Sequence, residues 1–306
     1  MGGNTFFIGF EPAFMEWLQS HLGTAGEYVA VFFTMLSEPM VVIAVMCFLY
    51  WCIDKERGKK IGEMLVLATV ICPLLKNIFL RRRPYMVHQQ IRCIRPPEPG
   101  QPLNDIAVQG YSFPSAHSSN AAVMFTSFSK FYDHKILKVL AVVAPVLVAL
   151  SRVALGVHYP TDVLTGLAVG YISVFLILFM HSKVKNKSTL RVIILILSLV
   201  GFIYCRTEDY YTCIGTLAGL YLAISFEEHF VKFENTRKPL PMVLRYVIGL
   251  GLYFGLGVIL KMPFDKAFLE SGTLGALSVR AARYFIIVFL LIGVYPLSFK
   301  LWEKKA

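Results

Sequence analysis

GYSFPSAHSSNAAV, residues 110–123, is a polar turn holding Pro114, Ser115, Ala116 and His117 that passes directly into an apolar run reaching about residue 133. The rest of the chain explains why a histidine stands at the threshold of such a run. Apolar stretches of about 20 residues, the length of helix that crosses ~30 Å of hydrocarbon, recur near 28–52, 61–80, 115–133, 137–156, 160–181, 190–208, 211–229, 242–261 and 282–300. With 306 residues, 56% of them hydrophobic and 16% charged, and a mean hydropathy of +0.62, the sequence lies outside the range of soluble globular domains. The expected fold is therefore all-α, a polytopic membrane helical bundle of about nine transmembrane helices.

Ahead of the first run, Phe14, Trp17, Leu18 and Leu22 recur at helical spacing, which predicts an interfacial helix within residues 1–27. The first 27 residues contain no Lys or Arg, and position 6 is Phe6 rather than Ser or Thr, so neither a cleaved signal nor a myristoyl anchor is expected. The formal charge of +11 sits in short connections rather than in one basic domain, which argues against nucleic acid as a partner. Alternate connections carry the Lys and Arg: four in 54–60, two in 133–138, four in 181–191, four in 232–245 and three in 300–306. Such residues accumulate on the cytoplasmic side, so the N-terminus is expected outside the cell membrane and the C-terminus inside. The six cysteines have no metal-type spacing, although Cys205 and Cys213 flank one short loop and could pair. No cofactor or metal is expected, and the sequence leaves the oligomeric state open.

Three polar clusters fall at the outer ends of these runs. Lys76 and Arg83 are seven residues apart, two helical turns, and Pro84 ends their helix. The second cluster is Pro114 to His117, and in the third Ser151 and Arg152 end one run while His158 and Asp162 begin the next. Taken singly, each has an ordinary reading: arginines 81–83 as snorkelling interfacial residues, and His117 and His158 as helix-end histidines. Lys76, however, lies inside an apolar run, where a charge costs at least ~2.5 kcal/mol unless paired or hydrated. The carboxylates nearest in sequence, Asp105 and Asp162, are too few to neutralise Lys76, Arg83 and Arg152, so an external anion is the expected partner. Guanidinium groups and the first amides of a helix suit a tetrahedral oxyanion, and two histidines with an aspartate supply the groups that phosphoryl transfer needs.

Lys76, six residues, Arg83-Pro84; Pro114-Ser115-Ala116-His117; and Ser151-Arg152, five residues, His158, three residues, Asp162 together resemble the three-part signature of the type 2 phosphatidic acid phosphatase (PAP2) superfamily. Ten residues match in order, and Ala116 stands where that family usually has glycine. The resemblance covers 76–162 strongly. It implies a catalytic helical core at 28–181 with additional transmembrane helices at 182–306, and a metal-independent phosphoric ester hydrolase acting on a membrane lipid phosphate at the extracytoplasmic face. It further implies that His158 attacks phosphorus, Asp162 orients its ring, His117 protonates the leaving oxygen, and Lys76, Arg83, Ser115, Arg152 and the amide of Ala116 hold the phosphate oxygens. Hydrolysis of a soluble sugar phosphate, as in glucose-6-phosphatases, and transfer to another acceptor stay open, whereas a transporter has no need of this His and Asp arrangement. Glu227 and Glu228 read as a solvated helix end. His88, Arg92 and Arg95 lie in a long 81–110 loop that either covers the site or meets lipid headgroups.

Overall fold

On the helix Lys135–Ala154, Ile136, Val139, Val143, Val146 and Leu150 are exposed, whereas Ala141, Ala144, Val148 and Ala149 are buried. Large apolar side chains face outward at three- and four-residue spacing and small ones face inward. That is the reverse of a water-soluble helix and suits hydrocarbon as the surrounding solvent. The protein is described here by a computed structural model covering residues 3–303. Its longer helices are α1 Phe10–Met35, α2 Pro39–Phe48, α3 Lys55–Phe79, α4 Ala116–Phe131, α5 Lys135–Ala154, α6 Pro160–Lys183, α7 Lys187–Leu199, α8 Glu208–Phe226, α9 Pro239–Ile259 and α10 Leu274–Val288. No strand forms among the described residues; Asn4 and Arg81 make an isolated bridge. The fold is an all-α membrane bundle.

The expected count of nine spans is not confirmed. Among the described residues, five helical segments are long and apolar enough to cross a membrane, namely α3, α5, α6, α9 and Leu274–Leu301, with a sixth if Phe10–Met35 and Pro39–Ile53 form one broken span. α4 has only 16 residues and buries Ser118, Ser119, Asn120, Thr126 and Ser127, α7 has 13, and α8 opens on Glu208 and Asp209. Within Phe10–Met35 the helix is broken at Gly23 (φ 57°, ψ 171°), which sets the segment expected as an interfacial helix off from the apolar run that follows it.

The chain forms two compact units, one built from residues up to Val42 with Ile71–Leu176, the other from Ile43–Val70 with Ile177 onward. In the first, α5 packs along both α4 and α1, and Met15, Ile91, Ala149, Val153, Tyr159 and Val163 form a core that joins α1, α5 and the start of α6. α6 meets α4 through Gly166 and Gly170, where a β-carbon would come within 2.3 Å of the Ser115 carbonyl and 2.5 Å of the Ser119 carbonyl. Small residues four apart thus let two backbones touch, and this fixes the start of α4 against the start of α6.

In the second unit, Trp51, Cys52, Phe233, Ile287, Leu291 and Phe299 belong to one core. Beside it lies a cluster of opposite charges. Lys55 and Lys59 meet the two carboxylate oxygens of Glu227 at 2.8 and 2.7 Å, and Lys59 also reaches Glu56 at 2.9 Å. Arg191 bridges Glu63 at 2.6 Å and Glu228 at 3.1 Å, and His181 stands 2.7 Å from Glu63. Glu227 is therefore no solvated end residue: it is fully buried and neutralised by two lysines. No disulfide forms among the described residues.

Candidate active site

The first unit gathers its chemistry where α3 ends, α4 begins, α5 ends and α6 begins. α3 stops at Phe79, with Leu80 in a left-handed conformation (φ 50°) that turns the chain. Asn4 then pins the segment after it, donating to the Leu80 carbonyl at 2.7 Å and accepting from the Arg82 amide at 2.8 Å. Buried Arg83 donates through Nε to the carbonyls of Gln109 and Gly110 at 2.9 and 3.1 Å, and through Nη1 to the Val157 carbonyl at 3.0 Å. The same Nη1 is 3.4 Å from Nε2 of His158.

His158 sits on a tight connection between α5 and α6. Gly156 takes φ +79°, and a β-carbon there would lie 2.1 Å from the Arg92 carbonyl. Gln19 locks the crossing, donating to the carbonyls of Arg92 and Ala154 at 2.9 and 3.0 Å and accepting from the Arg92 amide at 3.0 Å. On the other side of the ring, Nδ1 is 3.4 Å from Oδ2 of Asp162. That oxygen already accepts from the Tyr159 amide at 2.8 Å, and Nδ1 has no hydrogen-bond partner among the described residues. Asp162 is thus near enough to favour a charged ring while not forming a well-aligned bond to the neutral one.

Asp162 is itself held by Arg81, one of three arginines for which the sequence also allowed an ordinary interfacial role. Arg81 is 1% exposed and donates through Nη1 to Asp162 Oδ1 and to Thr161 Oγ1, both at 2.7 Å, and through Nη2 to Glu11 Oε2 at 2.7 Å. Glu11 in turn accepts from the amide and hydroxyl of Thr161 at 2.9 and 2.6 Å. The ring of Tyr159 lies 3.9 Å from the guanidinium carbon. One buried cation shared between two buried carboxylates carries its desolvation cost only because each charge is met by several hydrogen bonds.

Ser115 caps α4: its hydroxyl accepts from the Ser118 amide at 3.3 Å and the Ser118 hydroxyl at 3.0 Å, leaving its own proton to donate. Its amide is tied to the Asp162 carbonyl at 3.0 Å. The amides of Ala116 and His117 belong to the first helical turn, whose N–H groups point outward without intrahelical acceptors. Arg152, 3% exposed, donates through Nη1 to the Thr34 hydroxyl at 2.8 Å, and its Nε has no partner among the described residues. Burial, then the charges of Arg83, Arg152 and Lys76, hold the His158 imidazole well below its ordinary range. The ring is neutral at physiological pH, with a lone pair on one nitrogen beside a cationic surface. Such an arrangement can hold a tetrahedral oxyanion and bring a nitrogen nucleophile to its centre.

Lys76, Arg83, Arg152 and His117 all act electrostatically on His158, so four of the residues singled out in sequence surround a fifth, and Asp162 and the α4 start adjoin them. Asp105 takes no part; it caps the single turn Ile106–Gln109 by accepting from the Ala107 amide. Sequence reading missed Glu11, Gln19 and Thr34, and with them the clamp made by Arg81. Among the described residues, no three His, Cys, Asp or Glu side chains are placed to hold a metal ion.

A model described as PAP2 superfamily matches residues 57–187, and one described as PAP2 superfamily phosphatase, transmembrane extension, matches 211–305. Phosphatidylglycerophosphatase B of Bacillus subtilis is 39% identical over 85 residues, 25% of this chain and 42% of that protein. The lipid A 1-phosphatase of Rhizobium etli is 29% identical over 113 residues, 37% of this chain and 45% of its own length. The undecaprenyl-diphosphatase of Sulfolobus acidocaldarius is 30% identical over 123 residues, 38% of this chain and 52% of its own. The chain thus spans about half the length of the curated relatives it matches. No solved structure matches significantly.

Proposed function

Because the chain belongs to the PAP2 superfamily, we propose that it is an integral membrane phosphatase that removes a phosphate from a membrane lipid phosphate through a phosphohistidine on His158. The observation that carries this reading is the convergence of Arg83, Arg152 and Lys76 on one neutral, buried imidazole. The names of the relatives, all lipid phosphatases, favour a lipid among polyprenyl diphosphates, phosphatidate and phosphatidylglycerol phosphate. The catalytic core falls within 28–181, and 182–306 supplies additional helices.

In this mechanism Lys76, Arg83, Arg152, the Ser115 hydroxyl and the Ala116 amide hold the phosphate oxygens as charge redistributes. Nε2 of His158 forms a bond to phosphorus while the ester oxygen leaves with the bonding pair and takes a proton from His117. Water, giving its proton to His117, then cleaves the phosphorus–nitrogen bond. Asp162, steadied by Arg81, stabilises the ring as it becomes positive. The basic residues Lys130, Lys135 and Lys138, at the opposite ends of α4 and α5 from the site, favour a multi-pass topology in the cell membrane with the site extracytoplasmic and the C-terminus inside.

A phosphate-release panel of prenyl diphosphates, glycerolipid phosphates and hexose phosphates, with His158→Ala as the blank, tests the assignment. The reading requires release from at least one lipid and none by the variant. Preference for hexose 6-phosphate would move the protein to a soluble substrate, and a phosphorylated acceptor in place of free phosphate would make it a transferase. Orthovanadate should inhibit.

A further inference from the structure

Glu11 lies outside residues 57–187, the part of the chain that matches the PAP2 superfamily, yet it is fully buried and bound into the site. Its two oxygens accept four hydrogen bonds: Oε1 from the Thr161 amide and hydroxyl at 2.9 and 2.6 Å, Oε2 from the Ile8 amide at 2.8 Å and from Arg81 Nη2 at 2.7 Å. Arg81 is fixed on several sides. Its Nε donates to the Phe6 carbonyl at 2.9 Å, its Nη1 donates to Asp162 Oδ1 and Thr161 Oγ1 at 2.7 Å, and the rings of Phe6 and Tyr159 lie 4.7 and 3.9 Å from its guanidinium carbon. The guanidinium therefore holds Asp162 through Nη1 alone and by Oδ1 alone. The other carboxylate oxygen, Oδ2, is the one that stands 3.4 Å from Nδ1 of His158.

A buried guanidinium and a carboxylate with no other neighbour pair through two parallel bonds, each nitrogen taking one oxygen. Here Glu11 occupies Nη2, so the second bond to Asp162 does not form. We propose that Glu11 is a positioning residue of the reaction: by taking the second prong of Arg81 it keeps Oδ2 of Asp162 open to His158, and by setting two carboxylates on one cation it leaves Asp162 its negative charge. This deepens, and rests on, the phosphatase reading. As His158 Nε2 bonds to phosphorus, the bond from phosphorus to the ester oxygen breaks, and that oxygen keeps the electron pair and takes the proton of His117. The ring is then positive, with its remaining proton on Nδ1, and Oδ2 accepts the hydrogen bond from that proton as the charge develops. Without the Glu11 carboxylate, Nη2 turns to Oδ2, competes with Nδ1 for it and cancels the charge that steadies the ring.

The test is a double-mutant cycle in the full chain, with Glu11→Gln and Asp162→Asn made singly and together and His158→Ala as the blank. Turnover is followed with p-nitrophenyl phosphate, whose leaving group needs no proton from His117, so the rate reads the attack by His158. Glu11→Gln should lower kcat about 10- to 100-fold, the worth of one charge-assisted hydrogen bond, and leave KM within about 3-fold of wild type. In the Asp162→Asn chain the same substitution should lower kcat by less than about 3-fold, because the carboxylate through which Glu11 acts is gone. Glu11→Asp, which keeps the charge, should recover part of the loss. Where Glu11→Gln does not accumulate as folded protein, Glu11→Asp runs the same cycle, and whatever kcat it loses must again shrink below about 3-fold in the Asp162→Asn chain. A loss of similar size in both backgrounds, the mark of a merely structural clamp, overturns the proposal. If His158→Ala turns over like wild type, the phosphatase reading fails and the role of Glu11 with it; if His158→Ala is inactive and Glu11→Gln acts alike in both backgrounds, the role of Glu11 fails alone.

Discussion

Two buried clusters of charge, one in each unit, solve the same desolvation problem in different ways. In the second unit Lys55, Lys59 and Arg191 each meet a carboxylate from Glu56, Glu63, Glu227 or Glu228 at 3.1 Å or less. In the first, Arg83 is met by the carbonyls of Gln109, Gly110 and Val157, and Arg152 by the hydroxyl of Thr34. A neutral oxygen orients a guanidinium without cancelling its charge, whereas a carboxylate cancels it. The second cluster therefore holds helices together, and the first keeps a positive field aimed at His158. Arg81 shows both patterns in miniature, for inside the site it behaves as a structural cation, cancelled by Glu11 and Asp162.

The largest expected effect is on catalysis. His158→Ala should lower lipid phosphate turnover by about 10⁴-fold or more while the chain still folds, because the nucleophile is gone and only binding remains; residual turnover above a tenth of wild type, little more than 1 kcal/mol, would remove the nucleophile assignment. Next comes a direct contrast. Arg191→Met leaves buried Glu63 with only His181 beside it and should destabilise the protein by about 3 kcal/mol in a denaturation series. Arg152→Met strands no carboxylate of that kind; it should shift stability by under ~1 kcal/mol and cost about 10²–10³-fold in kcat/KM. Equal stability losses would break the comparison.

Gly156→Ala is expected to cost about 1–3 kcal/mol, since the new methyl group meets the Arg92 carbonyl in a left-handed conformation, and to loosen His158 at the same time. Unchanged melting with reduced turnover would mean that the loop gives way without cost. The smallest effect is that of pH. Because the folded state depresses His158, the unfolded chain binds that proton more readily below about pH 6.5. Stability is untouched above that pH and falls as the pH drops toward the folded pKa, by up to about 1.4 kcal/mol per unit for one site. Wild type should therefore lose melting temperature between pH 6.5 and 5 more steeply than His158→Gln, and parallel curves would show that the ring is not held neutral.

The apolar runs foretold where the helices lie, and the structure brings Lys76, Arg83, His117, Arg152, His158 and Asp162 together, but not by the helical spacing expected for the first pair: α3 ends at Phe79, and Arg83 lies in extended backbone beyond the left-handed Leu80. What pairs with what was not legible. Glu11 and Arg81 are 70 residues apart and Gln19 and Ala154 are 135 apart, and nothing local distinguishes a buried arginine clamp from an interfacial one. Run length alone does not fix the number of spans, because α4 and α7 are short helices, and α4 buries polar residues, inside apolar stretches. A glutamate at a helix end looks solvated until the lysines that bury it are known, as Glu227 illustrates.

The central claim, that two imidazoles and three cations surround a single phosphate, is tested most directly by rapid denaturation of the protein during turnover of a lipid labelled at its terminal phosphate. The account predicts an acid-labile, alkali-stable label on the peptide containing His158, lost in His158→Ala and prolonged in His117→Ala. Label on any other residue, or steady turnover with no labelled protein at the earliest quench, would contradict it.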